Sequence, residues 1–286
     1  MFNETELIAN DRQVLYAWTR EPSGPTRGVV AHVHGMGEHS RRYDHLSAYW
    51  AARGYASAGF DQRGHGRSPG PRGHTPSYEQ LLDDVAAFLE SVTEKWGDLP
   101  VTLYGHSMGG NVVLSYGLQR QPALAVVASA PYLRFAREPT PGRLVLARAL
   151  THLAPAVSFA NGLELAALSR DPLVVEAFRA DPLVHDRVTA TFFAEIRAAA
   201  ASVLARAADT ARPTLVMHGD ADRITAASAS REYVERTHGR ATLKVWPGYY
   251  HELHNEPGWE AVAAYVLSWM EGVPHPARPM NDSRSS

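Results

Sequence analysis

The 286-residue chain contains no cysteine. That excludes disulfide staples, thiolate nucleophiles and cysteine-based zinc sites, and it leaves the compartment open. Long apolar runs are also missing. No uninterrupted stretch approaches the roughly 20 residues that a membrane-spanning helix needs. The opening MFNETELIANDRQ has neither a basic start nor an apolar core, so no secretory signal is expected and a cytoplasmic protein is the default. A surplus of one charge is lacking too. With 28 Lys and Arg against 30 Asp and Glu, the formal net charge is −2, which gives nucleic acid no basic footprint. No internal repeat is visible. What remains is an ordinary globular composition, 45% apolar and 20% charged. The length suits one large domain or two small ones with a sizeable core. Fourteen histidines are many, so a histidine carries meaning only through its position.

The chain is organised around Gly105-His106-Ser107-Met108-Gly109-Gly110. Val101-Thr102-Leu103-Tyr104 before it reads as a buried strand, and Asn111 to Tyr116 after it has helical apolar spacing. A serine at a strand-to-helix turn, with glycine two residues to either side, is the G-x-S-x-G nucleophile elbow. The residue types have a steric reason. Strand and helix pass so close that a Cβ at 105 or 109 would collide with the neighbouring element. The turn lifts the Ser107 hydroxyl clear of the sheet and leaves the Met108 amide free at a helix N-terminus, where it can face an anion. Two glycines and a serine also recur by coincidence, so the argument depends on what surrounds them.

The surroundings are an alternation of strands and helices. Thr5 to Ala9 and Gln13 to Trp18 read as a hairpin about Asn10-Asp11, and Val29 to Val33 as a third strand. Tyr43 to Arg53 reads as a helix, Tyr55 to Phe60 as a strand, Tyr78 to Trp96 as an amphipathic helix, and Ala123 to Ala130 as a strand. The rhythm then changes. Across 132–212 no clear strand is expected, only short helices between prolines and a longer helix from about Thr189 to Ala208. Pro213 to His218 and Thr242 to Trp246 are strands again, and Ala227 to Thr237 and Trp259 to Met270 are helices. The pattern predicts an α/β fold with a mostly parallel central sheet flanked by helices. Residues 1–130 and 213–273 form its core, 131–212 a helical insertion, and 274–286 a tail expected to be disordered. In such sheets the reactive groups gather beyond the C-terminal strand ends, where the elbow and the loops after 33, 218 and 246 all fall.

A serine hydroxyl needs a base, and the base needs an orienting acid; in this fold they follow in that order, acid then histidine. After the strand at 213–218 come Asp220 and Asp222, of which Asp222 is taken as the acid and Asp220 as a turn former. Capping of the next helix is the competing role for Asp222. After the last strand comes Tyr249-Tyr250-His251-Glu252-Leu253-His254, with His251 as the base and His254 as its rival. His218 lies within a strand and reads as a satisfied core histidine. His106 reads as packing behind the nucleophile, and His65 as shaping its own loop. An oxyanion requires two preorganised donors, for which the amides of Met108 and of Met36, behind His34-Gly35, are in place.

Four segments together carry a family resemblance: HGMGEHSRRYDHLSAYWAARGYASAGFDQRGHGRSPGPRGH, GHSMGG, HGDADRI and YYHELHNE. With them, residues 28 to 270 resemble monoacylglycerol lipases and related lysophospholipase-like serine hydrolases of the α/β-hydrolase superfamily. The resemblance implies Ser107 as nucleophile, Asp222 as acid, His251 as base and the Met36 and Met108 amides as oxyanion donors. It also implies a helical lid over an acyl-chain pocket, no metal and no cofactor. Epoxide hydrolases and haloalkane dehalogenases carry aspartate where Ser107 stands, and prolyl aminopeptidase relatives usually carry Trp where Met108 stands. The expected substrate is a lipid-like ester, foremost a monoacylglycerol. A lysophospholipase, a small-molecule carboxylesterase or thioesterase, and a non-catalytic binding module are the alternatives. In the insertion, Leu144, Val145, Leu146, Leu150 and Leu153 with Arg143 and Arg148 read either as a helix over the acyl pocket touching a membrane or lipid surface, or as ordinary packing.

Overall fold

A computed structural model describes residues 1–120, 125–153 and 157–273. The expected disordered tail at 274–286 lies outside these residues. Ten strands are described: β1 (Phe2–Ile8), β2 (Val14–Arg20), β3 (Gly28–Val33), β4 (Tyr55–Phe60), β5 (Val101–His106), β6 (Ala125–Ser129), β7 (Ser158–Ala160), β8 (Arg187–Thr189), β9 (Thr214–Gly219) and β10 (Ala241–Trp246). Eight of them form one sheet in the order β1-β2-β4-β3-β5-β6-β9-β10. The β1–β2 hairpin and the β2–β4 pair are antiparallel, and every pairing from β4 to β10 is parallel. This is the expected α/β-hydrolase sheet. Strands β3, β5, β6 and β9 are buried along their whole length, as parallel strands covered on both faces must be.

The helices α1 (Asp44–Ala51), α2 (Tyr78–Trp96), α3 (Met108–Arg120), α4 (Pro141–Leu153), α5 (Pro172–Ala180), α6 (Ala190–Ala205), α7 (Ala227–Arg236) and α8 (Trp259–Gly272) complete the fold. Two apolar clusters sandwich the sheet. One joins α2, α3 and α6 through Val85, Phe88, Val112 and Phe192; the other joins α1 and α8 through Leu46, Trp50, Val262 and Val266. Helix α2 keeps its expected bounds because both ends are marked. Ser77 caps it by accepting from the Gln80 amide at 3.1 Å, and Gly97 ends it in a positive-φ conformation.

Two readings of the sequence need correction. The helix expected over 43–53 spans 44–51 and is preceded by a 3₁₀ turn, Ser40–Tyr43. Ser40 is pulled inward there, where its amide and hydroxyl both bond Asp61 Oδ1 at 2.8 and 2.6 Å. The insertion is also not free of strands. β7 and β8 pair antiparallel, with Phe159 opposite Val188. Three-residue strands carry no periodic signal, and their partner lies far along the chain, so the pattern cannot reveal them. The long helix of the insertion is α6, entered through Thr189, whose hydroxyl accepts from the Phe192 amide at 3.3 Å.

Candidate active site

Ser107 sits between β5 and α3 with φ +54°, a conformation that L residues with a side chain rarely adopt. Its backbone is pinned from three directions. The amide donates to Ser129 O at 2.9 Å, and the carbonyl accepts from Asn111 N at 3.0 Å and Tyr132 N at 2.9 Å. Strain at a single residue persists when the surroundings over-determine it in this way. The flanking glycines behave as expected. A Cβ at 105 would lie 2.3 Å from Gly109 O, and one at 109 would lie 2.1 Å from Val33 O. Gly109→Ala is therefore expected to destabilise the protein by at least the ~1–3 kcal/mol of an overpacked core, measured as a lowered urea midpoint. An unchanged midpoint would mean that helix and strand can move apart.

The candidate acid and base are in contact. His251 Nδ1 donates to Asp222 Oδ2 at 2.8 Å. The loop after β9 aims the carboxylate, because Asp222 Oδ1 accepts from the amides of Ile224 at 2.7 Å and Thr225 at 3.1 Å. The N-cap position of α7 falls to Ala226, so helix capping is not the role of Asp222. Burial works against charge on Asp222. The facing His251 and the hydrogen bonds from His218 and His251 outweigh it and hold the carboxyl well below its ordinary range. For His251 the same balance runs in reverse. Burial opposes protonation, but the Asp222 charge and hydrogen bond raise the imidazole above its ordinary 6.5. With its Nδ1 proton given to Asp222, the neutral imidazole keeps its lone pair on Nε2.

Ser107, His251 and Met36 line one cavity of about 310 Å³, together with residues of the insertion such as Phe159, Leu168 and Phe193. Among the described residues no hydrogen bond joins Ser107 Oγ to His251, and none occupies the Met36 or Met108 amide. No group of three His, Cys, Asp or Glu among them is disposed to hold a metal ion.

The rival residues have other partners. Asp220 Oδ1 accepts from Gly248 N at 2.6 Å and so ties the loop after β9 to the loop after β10. His254 is buried with its ring stacked on Tyr43 at 4.7 Å, and burial drives it well below its ordinary value. His106 packs 4.7 Å from the His251 ring, and burial lowers it to about 4. His65 donates from Nδ1 to Arg63 O at 3.1 Å within its own loop.

Sequence reasoning missed a buried charged network beside Met36. Glu38 Oε1 accepts from Gly35 N at 2.6 Å and Tyr43 Oη at 2.8 Å, and Oε2 accepts from Arg42 at 2.8 Å. Arg42 also forms two bonds to Glu252, at 2.6 and 2.8 Å. Burial alone would protonate Glu38; the Arg42 charge, joined by His106, His34 and the Gly35 amide, outweighs it and keeps it ionised. The visible signal is a Glu and an Arg four positions apart, Glu38 and Arg42. Thr225 and His218 were missed as well. Thr225 Oγ1 lies 2.9 Å from Asp222 Oδ2, and His218 Nε2 lies 3.1 Å from that same oxygen.

Comparison with known proteins agrees with this architecture. The family described as serine aminopeptidase, S33 (Hydrolase_4) matches residues 24–258. The chain is 38% identical over 267 residues to a monoacylglycerol lipase of Mycolicibacterium smegmatis, covering 92% of this chain and 94% of that one. It is 34% identical over 272 residues to an uncharacterized abhydrolase domain-containing protein of Dictyostelium discoideum, of whose length it spans 29%. The crystal structure of a Paleococcus ferrophilus monoacylglycerol lipase superimposes with a TM-score of 0.78 at 35% identity, covering 90% of this chain and 98% of that chain.

Proposed function

The chain belongs to the serine aminopeptidase S33 family of α/β-hydrolases, and from its likeness to monoacylglycerol lipases within that fold we propose that it hydrolyses carboxylic esters of lipids, monoacylglycerols foremost, through an acyl-enzyme on Ser107. The observation that carries the reading is the buried Asp222–His251 pair at 2.8 Å, beside the cavity that Ser107 lines. His251 Nε2 takes the Ser107 proton as the oxygen attacks the ester carbonyl. The oxyanion rests on the Met36 and Met108 amides, which no other group among the described residues occupies. His251 returns the proton to the departing alcohol, and water then repeats both steps on the acyl-enzyme. Catalytic hydrogen bonds of the Ser107–His251 kind tighten as the transition state is approached.

The cavity supports a lipid substrate. Its lining is largely apolar, with Phe135, Phe159, Phe178, Val188, Phe193 and Ile196 among it; Glu38 and Glu252 line it as well and supply polar groups. Its volume is at the lower end of the ~300–1,000 Å³ of small-molecule sites. Residues 131–212 act as a cap over this cavity. No described helix is long and apolar enough to cross a membrane. Contact with a lipid surface falls instead to exposed apolar side chains of the cap, namely Val145 at 70%, Leu153 at 82% and Leu173 at 68%. We place the protein in the cytoplasm, at such a surface.

A series of monoacylglycerols and p-nitrophenyl esters of increasing acyl length tests this. We expect kcat/KM to rise from acetate to medium and long chains, with glycerol esters hydrolysed. Best activity on acetate with none on longer chains would replace the lipase reading by a small-molecule esterase.

A further inference from the structure

The stretch after His251 ends on a buried acid to which the proposed reaction gives no role. Glu256 has a fully buried side chain. Its Oε1 accepts from the amide of Tyr250 at 3.1 Å and from the amide of Arg170 at 3.0 Å, and its Oε2 takes the Arg170 Nε–H. Tyr250 directly precedes His251, whereas Arg170 belongs to the insertion, 86 residues earlier. The neighbouring bonds join the same two stretches. Ser169 Oγ donates to Asn255 O at 2.8 Å, Glu252 N to Leu168 O at 2.8 Å, and His251 N to Ala167 O at 3.4 Å. The peptide on each side of His251 is thus tied to the insertion, on one side through Glu256.

We propose that Glu256 is a positioning residue for His251: it fastens residues 167–170 of the insertion to the 250–256 loop and so fixes where the imidazole stands. A carboxylate taken wholly out of water must be compensated, and here two backbone amides and one guanidinium compensate it. Those donors come from both stretches, so the charge is satisfied only while the two are in register. The insertion then does more than cover the cavity: residues 167–170 are part of the base's scaffold. The inference rests on the reading of His251 as general base, and one of its measurements does not depend on turnover.

The test uses the full chain with Glu256→Ala, Glu256→Gln and Arg170→Ala. It reads kcat and KM on p-nitrophenyl butyrate and the titration of the His251 imidazole by nitrogen NMR. A displacement near 1 Å can cost about a hundredfold in rate, so Glu256→Ala should lower kcat by about ten- to a hundredfold with KM within twofold. The His251 titration should move down as its contact with Asp222 loosens. Glu256→Gln keeps an acceptor oxygen and should recover most of the rate. Should Glu256→Ala fail to fold, Arg170→Ala decides; this side chain is 37% exposed, and its loss should lower kcat several-fold at constant KM. Folded variants with wild-type kcat and titration, or with KM alone raised, overturn the proposal. A titration that moves in a protein whose wild type turns over no ester supports the clamp and discards the hydrolase reading instead.

Discussion

Ser107→Ala is expected to lower ester turnover by at least about a thousandfold while leaving the melting temperature within a few degrees of wild type. The size follows from what the hydroxyl alone supplies. Without it no acyl-enzyme forms, and only the amides of Met36 and Met108 and the binding cavity remain to favour direct attack by water. The small stability effect follows from the local structure. The backbone of residue 107 is held by Ser129 O, Asn111 N and Tyr132 N, and none of these bonds involves the side chain. Alanine pays the same penalty as serine for φ +54°, so the turn is equally strained before and after. Steady-state hydrolysis of p-nitrophenyl butyrate, paired with fluorophosphonate labelling, makes the check. Labelling should stop together with turnover. Turnover at the wild-type rate in the alanine variant would remove Ser107 as the nucleophile, and labelling of another residue would name the replacement.

What could be read in advance divides along physical lines. The elbow was legible because its constraint is local: two absent Cβ atoms and one strained residue within a few positions. The loops that bring Asp222 and His251 into contact were legible because each follows a strand whose end faces the same edge; element order did not separate them from Asp220 and His254, a choice that the family resemblance made. Polar groups whose partners are remote in sequence were not legible. Arg42 meets Glu252 across 210 positions and Glu256 meets Arg170 across 86, and neither pairing leaves a trace in composition or period. The β7–β8 pair failed for the same reason. In the insertion, α4 is helical as expected, but Val145 and Leu153 point to solvent, and the side chains of Leu144 and Leu146 lie outside what the structure describes. An apolar periodicity cannot say which of two apolar environments, cavity or lipid, a helix meets.

Asp222→Asn should cost still more than its conservative appearance suggests, about ten-thousandfold in turnover if it acts as the corresponding change does in serine proteases. The geometry gives the reason. Oδ1 of residue 222 holds the amides of Ile224 and Thr225, and only an oxygen can accept from both. An asparagine keeps its oxygen there and turns its NH₂ toward His251 Nδ1. Two donors then face each other, so the imidazole shifts its proton to Nε2 and loses the lone pair that must accept from Ser107. The pH profile separates this from simple misfolding. In the wild type burial lowers His251, but the Asp222 charge and hydrogen bond, with Glu252 and Glu38, together outweigh it and raise the ring above 6.5, so the base is lost as pH falls through a value above 6.5. The acid limb of kcat/KM should lie there. In the asparagine variant the Asp222 charge and its hydrogen bond are gone; burial, the largest influence on the ring, lowers it against the smaller pull of Glu252 and Glu38, so the limb of the residual activity should move to lower pH. A variant that keeps turnover within tenfold of wild type, with its acid limb unmoved, would show that His251 takes neither its tautomer nor its charge from Asp222.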